Sequence, residues 1–372
     1  MLRFFAKIWL KWLIWRHTGI SQNALDPSSI KSLLFIELTR FGDVVTMLPV
    51  IRSFHDAFPD ATITVAVQAP YAGLLRYLPF SVGVIALKKT DSLWGFFRSV
   101  AVIRTIQSDL AVSMSPGIRN AALTLNTSAY AKIGYVDSRD TVTPFLHRYD
   151  VRGFGIEMKN ESYSGENITL RANKICLALG ITPHDKVPLR IPPAAIASAK
   201  KSTGSNGNPI VLLHPFAGWS YREWKHSNFT ALAEKLAAGN PVNIIFLGTE
   251  REIARLRQRT SIPAGCTVVN PQHMDELMGL MGIASLYIGG DSGPLHLASM
   301  VGVPCVGLYG PASPELTAPV SAVNTYLYHK VDCSPCDQRR CIRPENPCIN
   351  LIGIYNVLDA ANALLRTPVP AA

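Results

Sequence analysis

Residues 288–311 read IGGDSGPLHLASMVGVPCVGLYGP, and the fold turns on this stretch. An apolar run enters a glycine-rich turn, a helical pattern follows from about Leu295, and a second apolar run closes the segment. Gly289, Gly290 and Gly293 let a backbone approach a partner where a Cβ would clash. Pro294 suits the first turn of a helix, where its missing N–H costs nothing. The helix would aim its free N–H groups and positive dipole end at the turn, an anion site suited to a phosphate or diphosphate. Asp291 and Ser292 lie in that turn, and His296 one helical turn on. The stretch lacks both the G-x-G-x-x-G and the G-x-x-x-x-G-K-[ST] order, so alone it also fits an ordinary strand–turn–helix of an α/β core.

Outward from this segment the same pattern recurs. Before it, 210–213, 242–247, 267–270 and 286–289 read as strands, and 305–309 follows. Nearer the N-terminus, 32–38, 61–67, 82–87, 109–114 and 131–135 read as strands with amphipathic stretches between. Continuous apolar strands alternating with helices predict parallel sheets covered on both faces. A polar, proline-rich tract at 191–208, IPPAAIASAKKSTGSNGN, separates the halves and reads as a linker. The expectation is an α/β chain of two doubly wound domains, 30–190 and 209–350. A last helix and tail at 351–372 would be free to pack back on the first domain.

The chain has 372 residues, 48% hydrophobic and 17% charged, enough apolar content for two large cores. Its net charge is +10, yet no compact Lys/Arg run with interleaved aromatics appears, so no nucleic-acid partner is expected. Part of the charge sits in the leader, MLRFFAKIWLKWLIWRHTGI. Arg3, Lys7 and Lys11 form a cationic stripe at helical spacing, while Phe4, Phe5, Trp9, Trp12 and Trp15 supply aromatic surface. Its apolar runs are too short to span a bilayer, and no small-residue cleavage site follows. Residues 1–25 therefore read as an amphipathic helix lying in a membrane interface.

Seven cysteines are present. Cys176, Cys266 and Cys305 sit singly in apolar stretches, as buried thiols do. Cys333, Cys336, Cys341 and Cys348 form C-x2-C-x4-C-x6-C. Four thiolates suit a structural zinc ion or an iron–sulfur cluster, and four reduced thiols packing a loop fit the spacing equally well.

In open parallel sheets, ligands sit beyond the carboxyl ends of the strands, so the residues just after strands are the candidates. The first strand runs into Arg40, Gly42 and Asp43. A helix start favours an ionised Asp43 able to accept a proton, although Asp is also common there as a simple cap. After 210–213 come His214, Ser220, Arg222 and Lys225, with Trp219 and Trp224 between. Arg222 can fork onto a diphosphate and Ser220 can donate to it, while the tryptophans read as packing and His214 as structural. Glu250, just past 242–247, is placed to hold ribose hydroxyls, whereas Glu252 reads as a first-turn helix charge. Met274 can flank a base or fill a core. Asp291, Ser292 and Gly293 complete the anion turn, with His296 as a further candidate.

These pieces together resemble glycosyltransferase family 9, the bacterial lipopolysaccharide heptosyltransferases. The resemblance rests on T-R-F-G-D-V-V-x-x-L-P (39–49), H-P-x-A-G-W-x-x-R-x-W (214–224), G-G-D-S-G-P-L-H-L-A (289–298) and V-G-L-Y-G-P (306–311), in order. The Cys cluster also looks like one found in many members. The resemblance implies a GT-B fold, two Rossmann-like domains facing across a cleft. It implies inverting transfer of a sugar from a nucleotide donor, typically ADP-heptose, without a catalytic metal or other cofactor. By position, Asp43 is similar to the family's general base and Asp291–Gly293 to its diphosphate site. Glu250 and Met274 fall at ribose and adenine positions. The implied partners are a nucleotide sugar, a lipid-linked envelope glycan and the inner face of the bacterial inner membrane, with the protein in the cytoplasm. The chain departs from the family at Arg222, usually Lys, and at Phe216, often Gly. Two other readings fit the same motifs: a sugar-nucleotide 2-epimerase on the same frame, and a non-catalytic nucleotide-sugar-binding protein of an envelope assembly complex.

Overall fold

The computed structural model describes residues 30–88, 92–115, 118–137, 155–158, 167–320, 323–336, 338 and 340–367. The expected membrane-interface helix at 1–25 lies outside them. Among the described residues, no helix is long and apolar enough to cross a membrane. The chain divides into two units, the first ending at Val187 and the second beginning at Pro188.

The first unit contains β1 (Ser32–Glu37), α1 (Phe41–Ala57), β2 (Thr62–Gln68), β3 (Gly83–Leu87), α2 (Leu93–Arg104), β4 (Leu110–Ser113), α3 (Ile118–Leu125), β5 (Ala131–Asp137), β6 (Gly155–Met158) and α4 (Ile168–Ala178). Its sheet runs β3-β2-β1-β4-β5-β6, parallel throughout. Leu34, Ile36, Ala66 and Ala111 from three of these strands pack with Val100 and Ile103 of α2 and Leu123 of α3.

The second unit contains α5 (Pro193–Thr203), β7 (Ile210–His214), α6 (His226–Gly239), β8 (Asn243–Leu247), α7 (Glu250–Arg259), β9 (Thr267–Val269), α8 (Met274–Ile283), β10 (Leu286–Gly290), α9 (Gly293–Val301), β11 (Cys305–Tyr309), α10 (Pro314–Thr317), β12 (Thr325–Tyr328) and α11 (Ile354–Arg366). Its parallel sheet runs β12-β11-β10-β7-β8-β9. Counted from its own first strand and read from the other edge, this is the same winding as in the first unit. In both, the fourth strand returns beside the first. The crevice at that reversal, beyond the carboxyl ends, is where doubly wound sheets hold ligands. It falls at β1/β4 in one unit and β7/β10 in the other.

All ten expected strands are present. The additional two, β6 and β12, are four residues long and lie at sheet edges. β12 reads TYLY and is half-buried throughout, so it lacks the continuous apolar run that marks an interior strand.

One further expectation meets a different local structure. The tract at 191–208 is largely the helix α5, started by Pro193 at its first turn and closed by Gly204 at φ 62°. α5 lies on α8 at close range, because Gly279 and Gly282 leave room: a Cβ on Gly279 would stand 2.4 Å from the Ala195 carbonyl oxygen, and one on Gly282 2.3 Å from Ile196 Cδ1. The last helix, α11, packs within the second unit. Its Val357 and Ala361 are fully buried in the core of the second, among Trp224, Phe229 and Ile352. Pro49 sits inside α1 without ending it. Val44, Leu48, Val50, Ile51 and Phe54 are all fully buried along that helix, and their packing outweighs the backbone bond that proline removes.

The α5–α8 contact makes a direct prediction. Gly279→Ala forces a methyl against backbone, so it should cost about 1–3 kcal/mol of stability. Urea unfolding of the variant checks this, and an unchanged midpoint contradicts the packing described.

Candidate functional site

At the β1/β4 reversal, the last residue of β1 is Glu37, a fully buried carboxylate. Oε1 accepts from the Thr39 N–H at 2.8 Å and from the Thr39 hydroxyl. Oε2 accepts from the Ser115 hydroxyl, just past β4. Asn120 Nδ2 reaches Oε1 at 3.4 Å, and Asn120 Oδ1 accepts from the Leu38 N–H at 3.2 Å. From β2, Gln68 Nε2 donates to the Leu38 carbonyl at 2.6 Å and also to that of Thr39. The loop entering α1 is thus pinned by Glu37 of β1, Gln68 of β2 and Asn120 of α3, with Ser115 just past β4 holding Glu37. Burial pushes the Glu37 carboxyl up, against the pull of Ser115 and Thr39, and the charge of Asp43 adds to the push.

Asp43 is the third residue of α1. Its Oδ2 accepts from the Arg40 N–H at 3.0 Å, which completes the helix start. An arginine side chain has no acceptor to return the bond, so only half of a capping box forms. The carboxylate is half-buried and Arg40 exposed. Tyr71 lies beside them, its ring 5.5 Å from Phe41, and burial with the Asp43 charge pushes its phenol up.

At the β7/β10 reversal, His214 ends β7 and Gly289–Gly290 end β10. A Cβ on Gly289 would stand 2.9 Å from the His214 carbonyl oxygen, and one on Gly290 3.0 Å from that of Arg222. The glycines therefore let the loop after β7 lie across the end of β10. This brings Arg222 Nη1 to 3.0 Å from Asp291 Oδ2, and His296 Nε2 stands 3.9 Å from Asp291 Oδ1. Ser292 is the N-cap of α9, yet its side chain makes no cap bond. Its hydroxyl faces His214 Nδ1 at 3.5 Å instead. The hydroxyls of Tyr287 and Tyr309 are buried beneath with no hydrogen-bond partner among the described residues.

The loop from 214 to 225 is braced from within. Glu223 is buried, its Oε1 accepting from the Ala217 N–H at 3.1 Å and pairing with Arg255 Nη2 of α7 at 2.6 Å. Burial works against its charge, but His226, the Ala217 N–H and Arg255 together outweigh it and hold the carboxyl below the ordinary glutamate range. Phe216 is fully buried over Gly248, where a Cβ would meet its ring at 2.4 Å. Trp224 is core, its Nε1 donating to the Ile352 carbonyl at 2.9 Å. Trp219 packs edge-on to Tyr221, centroids 5.0 Å apart.

A profile of glycosyltransferase family 9 (heptosyltransferase) matches residues 97–346. The chain belongs to glycosyltransferase family 9. It is a glycosyltransferase, 24% identical over 304 residues to the lipopolysaccharide core heptosyltransferase OpsX of Haemophilus influenzae, covering 80% of this chain and 84% of that one. The solved family 9 glycosyltransferase of Veillonella parvula superposes with a TM-score of 0.73 at 18% identity, over 90% of this chain and 97% of the other. The ADP-heptose lps heptosyltransferase II of E. coli gives 0.71 at 18%, over 90% and 98%. Both likenesses support the GT-B fold. The match to the family begins after the loop that carries Asp43.

Within this family 9 chain, the sequence candidates separate into groups. His214, Arg222, Asp291, Ser292 and His296 converge at the β7/β10 reversal. Gly293 opens α9 beside them, and Ser220 begins the 3-10 turn that ends at Arg222. Glu250 is the exposed first residue of α7, after β8, and Met274 the half-buried first residue of α8, after β9. Both lie along the same carboxyl edge. Glu252 caps its own helix, accepting from the Thr249 N–H and hydroxyl at 2.8 Å each. Arg40, Gly42 and Asp43 are at the other unit's reversal. Glu37, Tyr71, Glu223, Tyr287 and Tyr309 were not singled out in the sequence. The clearest available signal was Glu37, a charged residue closing an otherwise apolar strand.

The four clustered cysteines do line one cavity, of about 150 Å³, with Trp219, Tyr221, Arg340 and Arg343. They do not form a metal site as arranged: among the described residues, no group of three or more His, Cys, Asp or Glu is placed to hold a metal ion. Burial pushes the Cys348 thiol up, and the other three cysteines add to the push. The expectation of a structural zinc ion or iron–sulfur cluster is therefore unsupported.

Burial also pushes His214 down, to about 4, against the pull of Glu252 and Glu223. It is neutral near pH 7 and serves as a hydrogen-bonding partner for Ser292. A histidine held neutral binds fewer protons folded than unfolded, so its contribution to stability is complete above 6.5 and is lost as pH falls toward about 4. Removing it should flatten the acid limb by roughly 3 kcal/mol over that window. Urea titrations of the unaltered chain and His214→Gln across the window test this, and parallel profiles would contradict it.

Proposed function

We propose that this enzyme transfers a heptose, with inversion, from ADP-heptose to a lipid-linked acceptor of the lipopolysaccharide core. The observation that carries the donor half is the Arg222–Asp291 pair at the start of α9. Arg222 presents a forked cation, and α9 presents the N–H groups and dipole of a helix start. Asp291 is an acceptor only. It would orient Arg222 and accept sugar hydroxyls rather than touch phosphate oxygens. Ser292 and Ser220 would donate to the diphosphate. Glu250 would hold the ribose hydroxyls and Met274 flank the adenine.

Asp43 would take the proton from the acceptor hydroxyl as its oxygen attacks the anomeric carbon on the face opposite the diphosphate. The clamp on the loop above Glu37 supports this role, because a general base must be held at hydrogen-bond reach of its proton. Negative charge then grows on the leaving ADP. Arg222, Ser292 and the α9 start would stabilise it, and preorganised donors of this kind supply large transition-state terms. The leader at 1–25 would keep the enzyme on the inner face of the inner membrane, beside its acceptor.

General-base catalysis contributes about 10²–10⁴-fold, so Asp43→Asn should lose that much turnover. ADP binding should stay within twofold of the unaltered enzyme. Turnover is read as ADP release with ADP-heptose and a lipopolysaccharide core acceptor, alongside ADP affinity by calorimetry. Unreduced turnover removes Asp43 as the base, and conversion of the donor sugar without an acceptor would make the protein an epimerase.

A further inference from the structure

The donor site has a contact that the transfer chemistry does not account for. Gln338 stands between Cys336 and Cys341, in the loop that lines the four-cysteine cavity. Its side-chain carbonyl oxygen accepts from Arg222 Nε. Among the described residues it alone has a positive φ without being glycine, at 58°. Trp219 and Tyr221, which flank Ser220 ahead of Arg222, also line the same cavity. The loop is tied down at Ser334, whose hydroxyl donates to the Gly310 carbonyl at 2.8 Å, and at Cys336, whose N–H donates to that of Pro311 at 3.0 Å.

We propose that Gln338 is a positioning residue for donor binding: it fixes the plane of the Arg222 guanidinium, and so the affinity of the site for a nucleoside diphosphate. A guanidinium has five N–H donors in a rigid fork. Gln338 holds Nε and Asp291 holds Nη1. Two anchors on different nitrogens of one planar group define its orientation. The remaining donors then face the ligand without further ordering, which is how preorganisation raises affinity. Asp291 alone leaves the fork free to swing about a single contact. The backbone at Gln338 is in a region that glycine enters freely and other residues at a cost, and such positions cluster at ligand clamps.

This inference rests on the reading of Arg222 as a diphosphate ligand. The test is calorimetric titration of the purified full chain with ADP, UDP and GDP, comparing the unaltered protein, Gln338→Gly, Arg222→Ala and the double variant. Glycine accepts the positive φ, so Gln338→Gly removes the side chain without straining the loop, and its thermal midpoint should not fall. The expected result is about a tenfold loss of nucleoside diphosphate affinity in Gln338→Gly, the scale of one hydrogen bond to a charged group. In the Arg222→Ala background the same change should have no effect, because Gln338 acts through Arg222. Undiminished affinity in Gln338→Gly, or an equal loss with Arg222 already removed, overturns the proposal. An unaltered protein that binds none of the three ligands overturns the donor-site reading, and this inference with it.

Discussion

The second unit depends on two hydrogen atoms where side chains would otherwise stand. Gly289 and Gly290 end β10 with the His214 and Arg222 carbonyl oxygens close against them. With any larger residue at either position, the loop after β7 would have to lift. Arg222 would then lose its reach to Asp291, and Ser292 its approach to His214. The charge pair, the helix start and the buried imidazole are separate features in the sequence, but steric clearance at one strand end brings them together. The dipole of α9 contributes only because the loop lies where the dipole points.

The first unit solves a related problem by a polar route. A carboxylate is buried at the end of β1 and surrounded by donors from Thr39, Ser115 and Asn120. Burying such a group is costly unless its hydrogen bonds are made, and here they fix the loop that leads to Asp43. The same winding thus recurs in both sheets, with a different device at each reversal.

Much of this organisation was legible from the chain. Ten strands announced themselves as apolar runs, and the turn at 289–293 announced a helix start. What could not be read were contacts that join distant residues. Ser115 is 78 residues from Glu37 and Asn120 is 83, so nothing local to Glu37 states its purpose. Gln338 is 116 residues from Arg222 and looks like an ordinary polar loop residue. The tract at 191–208 misled because its composition is that of a connector. Its proline and glycine mark the start and stop of a helix, and the surface it packs on is recorded only in two glycines of α8. The cysteines left two readings open: spacing brought all four to one cavity, and among the described residues no three or more ligating side chains are placed to hold one ion.

The seating of Phe216 over Gly248 makes the two positions sterically dependent on each other. The aromatic ring occupies the volume that a side chain at 248 would need, and it stacks edge-on between His214 and His226, with centroids 5.7 and 5.6 Å away. Shrinking residue 216 alone leaves a ring-sized void beneath the loop, and enlarging residue 248 alone drives a methyl into the ring. A small residue at 216 would therefore need that volume filled from elsewhere. Single changes in this chain therefore meet either a hollow or a collision, and only a paired change avoids both.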